Sequence, residues 1–134
     1  MLKYCVDQWE KNKENLRTAF ETCKIYYDYE NFAHLVIKNI FHEWKNYELN
    51  IHYYDEYQGE VVFFIHSSPW TKEGLFLSYL DYGSCSVCDA LQAAEAEEGE
   101  ARVNDMMAIA LNFIQNMKHP YPSIYNKKYD ECCR

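Results

Sequence analysis

Cys85 and Cys88 are the side chains whose type and spacing most suggest chemistry. They stand in Asp81-Tyr82-Gly83-Ser84-Cys85-Ser86-Val87-Cys88-Asp89, where a predicted strand runs into a predicted helix. A Cys-x-x-Cys at a helix start sets its first thiol among unpaired backbone N–H groups and the positive end of the helix dipole, which favours a thiolate. That is the thiol-redox reading. Against it, the preceding strands read as an antiparallel meander rather than a parallel β-α-β unit, and the next proline is Pro120. A zinc reading uses Cys85 and Cys88 as two ligands and needs two more. Cys132, Cys133, His66 or His119 could supply them, but no second Cys-x-x-Cys exists. A third reading is a ligand site. Gly83, Ser84, Cys85 and Ser86 combine a glycine, two hydroxyls and helix-start N–H groups, a chemistry that holds phosphate or carboxylate. Tyr79 and Tyr82 would offer rings to a base. The Gly-rich spacing and lysine of a nucleotide-hydrolysis loop are missing. Against all three stands plain packing, in which small residues allow close approach and the thiols are buried.

No nucleophilic triad can be assembled. The five histidines are scattered and none has a recognisable spacing to a nucleophile. His34 and His42 lie eight positions apart, two helical turns, too far for one ion.

The elements that must position the Cys-x-x-Cys stretch can be read from periodicity. Val6, Trp9, Leu16, Phe20, Cys23 and Tyr27 recur at helical spacing, with Lys13 breaking the stripe, and predict a helix over 2–27. Cys5 and Cys23 are five turns apart on it and should point the same way. Asp28 predicts a cap for a second helix over 29–47. The period then changes to two. Leu49, Ile51 and Tyr53 read as a half-buried strand, 60–66 as a central apolar strand and 75–81 as a third. Short connections predict an antiparallel meander. Ser84 or Ser86 should cap a third helix to about Glu98, with Asp89 completing a capping box and Gly99 stopping it. A fourth helix over 100–117 carries Val103, Met107, Ala110, Ile114 and Met117 on one stripe. The expected fold is α+β, in the order α-α-β-β-β-α-α, as one domain over 1–134 with 119–134 as an irregular arm.

The chain has 134 residues and a formal charge of −8. Residues 48–105 set Lys72 and Arg102 against twelve acidic side chains, net −10. Such a stretch repels phosphate backbones and excludes non-specific nucleic-acid binding. It suits a basic protein surface, or simply a solvated face. No apolar run is long enough for a bilayer span, and the N-terminus has no signal-peptide core. Six cysteines then read as cytosolic thiols. Tyr53, Tyr54 and Tyr57, and Tyr121, Tyr125 and Tyr129 in the tail, would make an aromatic surface or close the core under an arm. The apolar content is compatible with a homodimer of unspecified symmetry.

Over about Glu60 to Gln92 the chain resembles a family of uncharacterised small phage and prophage proteins that share a Tyr-Gly-Ser-Cys-Ser-x-Cys-Asp-x-Leu-Gln element, here Tyr82 to Gln92. The resemblance implies phage origin and a host-cytoplasm setting, and carries no assigned activity. The expected function is a non-enzymatic binding protein that inhibits or sequesters a host component, including a component of host defence. Its target would be a basic protein or a small phosphorylated ligand held at Gly83 to Ser86. The alternative is a zinc-binding or thiol-redox protein centred on Cys85 and Cys88.

Overall fold

Alternation along the chain decides which way the sheet faces. Val61, Phe63 and Ile65 are fully buried while Val62 and Phe64 between them are only half-buried. A computed structural model describes residues 2–25, 28–54, 59–67, 74–83 and 89–119. Its elements run α1 (Lys3–Thr22), α2 (Tyr29–Ile40), β1 (Glu48–Tyr54), β2 (Gly59–His66), β3 (Leu75–Tyr82), α3 (Ala90–Glu95) and α4 (Gly99–Gln115). The fold is α+β with the expected order, and the sheet is an antiparallel meander, β1-β2-β3, with β2 central. Register sets Ile51, Phe63 and Ser78 side by side on the inner face, where Phe63 meets Phe113 of α4 edge-to-face at 4.9 Å. Ser78, fully buried, donates its hydroxyl to the Phe113 carbonyl at 2.6 Å, so this buried polar side chain has a partner.

Helix α1 buries Cys5, Trp9, Asn12, Leu16 and Phe20. The expected stripe was one residue off at its start: Val6 is 37% exposed. Asn12 is the polar residue that fills the apolar gap. It is buried and donates to the Ile40 carbonyl at 2.8 Å, satisfying a carbonyl at the end of α2 that no helical N–H reaches.

Helix α1 stops at Thr22 rather than Tyr27. Cys23 is extended, at φ −113° and ψ 143°. The Thr18 and Thr22 hydroxyls donate back one turn, and the Arg102 guanidinium donates to the carbonyls of Phe20 and Cys23. Those carbonyls therefore have partners without another turn of helix. Having left the helix, Cys23 is exposed while Cys5 is buried, so the two thiols do not share a face.

Asp28 caps α2 as expected, accepting from Glu30 N–H at 2.9 Å and Asn31 N–H at 3.4 Å. The helix ends at Ile40 rather than Tyr47. A turn at Phe41 lays Trp44 between Phe41 and Phe76, at ring separations of 4.1 and 5.1 Å. Gly99 stands at the start of α4 with φ +60°, turning the chain out of α3 in a conformation that other residues avoid. The predicted α4 stripe is buried throughout, joined by Met106 and Phe113. No helix among the described residues is long and apolar enough to cross a membrane.

Candidate functional site

The strand-to-helix junction is described at its two ends. Ser84, Cys85, Ser86 and Cys88 lie outside the described residues, as do Tyr57, Tyr121, Tyr125 and Tyr129. Tyr79, Tyr82 and Gly83 lie within them.

Tyr79 and Tyr82 do not come together. Three positions apart on β3, they project from opposite faces of the sheet. Tyr79 is half-buried with the Lys118 ammonium 5.9 Å from its ring centre, and its carbonyl accepts from Asn116 Nδ2 at 2.8 Å. A single base cannot lie against both rings. Tyr82 instead meets Tyr53 of β1, edge-to-face at 5.3 Å, and its hydroxyl donates to the Tyr54 carbonyl at 3.2 Å. It reaches across β2 because its register partner there is Gly59, which puts no side chain in the way.

Asp89 organises the junction. It is 2% exposed. Its Oδ1 accepts the Gly83 N–H at 3.1 Å and the Tyr29 hydroxyl, and its Oδ2 accepts the Gln92 N–H at 3.0 Å. A buried carboxylate is costly unless donors surround it, and here both oxygens are served. The capping-box expectation is thereby corrected: Asp89 is itself the cap of α3, not a residue inside a helix capped by Ser86. Being pulled inward by Tyr29 and Gly83 leaves it outside the first helical turn.

The electrostatics follow. Burial, then the hydrogen bond to Asp89 and that carboxylate's charge, push the Tyr29 phenol far above its usual range, so it stays a donor. Burial raises Tyr53 as well, helped by the carboxylates of Asp28, Glu30 and Asp89. The sheet end is thus an aromatic corner, Tyr29, Tyr53 and Tyr82, among carboxylates. Asp89 was visible within the motif, but Tyr29 was not. It precedes Asp89 by sixty positions, and only the fold, which sets the Tyr29 hydroxyl beside the end of β3, brings them together.

Among the described residues no group of three or more histidine, cysteine or acidic side chains could hold a metal ion. His119 Nδ1 lies 3.1 Å from the Leu75 carbonyl, with its ring on Phe76 at 4.7 Å. His34 Nδ1 contacts the Tyr47 hydroxyl, and burial lowers its pKa from the ordinary imidazole value. A cavity of about 840 Å³ lies between the end of α1 and the α3–α4 corner, lined by Cys23, Lys24, Glu97, Glu98, Arg102 and Val103 among others. Its Arg102 is taken up by Glu95 and by the carbonyls of Phe20 and Cys23.

By fold the chain is an α+β protein in which helices and an antiparallel meander share one hydrophobic core. Comparison with protein-family models, curated proteins and solved structures finds no match.

Proposed function

We propose that this chain is a non-enzymatic binding protein of phage origin that inhibits or sequesters a host component by docking its acidic surface on a basic protein. A component of host defence is the narrower form of the reading. One observation carries the choice of target. Gly83, the one residue of the expected Gly83–Ser86 ligand site that lies among the described residues, already spends its N–H on Asp89, as does Gln92 on the helix side. Beside this junction, Tyr53, whose ring meets Tyr82, already feels the negative charges of Asp28, Glu30 and Asp89. Charge therefore favours a cationic partner over an anionic one.

Full-length protein, immobilised and exposed to lysate of infected host, tests this. A basic protein should be retained at about 50 mM salt and released by about 500 mM, since the attraction between exposed charges is screened. A chain that retains no basic protein at low salt, or that retains a nucleotide instead, overturns the reading.

A further inference from the structure

We propose that the outer edge of β1, which no other described strand pairs, bracketed by the rings of Tyr53 and Tyr54, accepts an extended arginine-bearing segment of the partner protein as an added strand. This inference rests on the docking reading above and gives it a surface.

The two edges of the sheet differ. On β3, the Lys118 N–H donates to the Leu77 carbonyl at 2.9 Å and the Leu77 N–H donates to the Lys118 carbonyl at 2.8 Å, so the chain returning from α4 meets that edge. Among the described residues β1 pairs only with β2. Its sequence, Glu48-Leu49-Asn50-Ile51-His52-Tyr53-Tyr54, has neither the proline nor the lysine that commonly blocks an edge. Strand addition at such an edge draws affinity from main-chain hydrogen bonds and selectivity from flanking side chains.

The flanking side chains here are aromatic and anionic. Tyr53 is 54% exposed and Tyr54 53%. Neighbours on a strand point to opposite faces, so the two rings stand on either side of the edge. The Tyr53 ring and the Tyr54 backbone are both engaged by Tyr82. Tyr53 lies perpendicular to Tyr82, whose hydroxyl is fixed on the Tyr54 carbonyl. Asp28 and Glu30 act on the Tyr53 side, and on the other face Tyr54 is in register with Glu60, itself in register with Asp81. A guanidinium can stack on a tyrosine face while pairing with a carboxylate, which a compact ammonium does less well. A second copy of this chain would bring the same acidic rim, on a molecule of charge −8, against itself. Charge thus selects a basic partner over self-pairing.

The test is a titration of ¹⁵N-labelled full chain, at low salt, with a peptide of alternating arginine and threonine and with the same peptide carrying glutamate for arginine. The arginine peptide should shift the amides of 48–54 and the glutamate peptide should not. Tyr53→Ala with Tyr54→Ala should weaken binding tenfold or more, about 1.4 kcal/mol. Asp28→Asn with Glu30→Gln, which keeps a capping side chain on α2, should weaken it several-fold. All four side chains are wholly or partly exposed, and an unchanged amide pattern elsewhere verifies the fold of each variant. Shifts centred on the Glu97, Glu98, Glu100 and Asp105 corner, indifferent to the tyrosines, overturn the edge assignment while acidic docking stands. Concentration-dependent doubling of mass that shifts the same amides without peptide overturns it in favour of self-pairing. Absence of peptide binding, together with no basic partner in lysate, sinks both readings.

Discussion

The phenol of Tyr29, the first residue of α2, donates to the carboxylate of Asp89, the cap of α3, inside the protein. The same carboxylate takes N–H groups on both sides of residues 84–88, from Gly83 and Gln92. Tyr29→Phe removes one donor and leaves two. It should destabilise the protein by about 1–3 kcal/mol. Asp89→Ala strands all three donors and removes the α3 cap, so its loss should be the larger. Urea midpoints at neutral pH give the order. Asp89→Ala no worse than Tyr29→Phe would contradict the arrangement.

Alkaline pH offers a second check. The Tyr29 pKa is raised in the folded chain, by burial and then by Asp89. A folded-state pKa above the unfolded value means that the unfolded state releases its proton first. The contribution is fully present below about pH 10, the unfolded tyrosine value, and declines as pH rises beyond it. Tyr4, Tyr47 and Tyr53 are raised too, chiefly by burial, and add to the slope. The diagnostic quantity is therefore the difference from Tyr29→Phe. Urea midpoints measured from pH 8 to 11 should converge between the two proteins as pH rises, and parallel curves would refute the assignment.

Asn12 joins two helices through one hydrogen bond, to the Ile40 carbonyl. Asn12→Ala leaves that buried carbonyl unpaired, at a cost of about 1–3 kcal/mol. Asn12→Asp should be at least as harmful, because it replaces a donor with a second acceptor. A chemical-denaturation series on the two variants tests the order, and a stabilised Asn12→Asp would be incompatible with it.

Glu95 and Arg102 form an ion pair whose side chains are only 8% and 14% exposed. Arg102 also donates to the carbonyls of Phe20 and Cys23. Arg102→Met should cost about 3–5 kcal/mol, because it leaves a largely buried carboxylate without its cation. Adding Glu95→Gln should recover part of the loss by removing that charge. A double-variant cycle on thermal or urea unfolding reads the coupling. Strict additivity would mean that the pair does not act as one.

Much of the fold was legible because local pattern and tertiary demand coincide. Val61, Phe63 and Ile65 alternate and are buried, and Val103, Met107, Ala110, Ile114 and Met117 keep helical spacing and are buried. Asp28 signals its cap by type and position alone. The misses share one cause. Asn12 faces the core because α2 ends there, Cys23 leaves its helix where Arg102 meets the last carbonyls, and Asp89 turns inward because Tyr29 and Gly83 await it. Each of these side chains answers a polar group many positions away.

From its sequence alone the chain had determined its element order, the central place of β2 and an acidic stretch over 48–105, since periodicity and charge are local properties. Tertiary structure decided where the chain turns, which rings meet and which polar groups pair. Tyr79 and Tyr82 are neighbours in sequence but face opposite ways, whereas Tyr82 reaches Tyr53 across Gly59. The physical reason is that a buried polar group must find its partner wherever the fold places one, and short-range pattern carries no record of that distance.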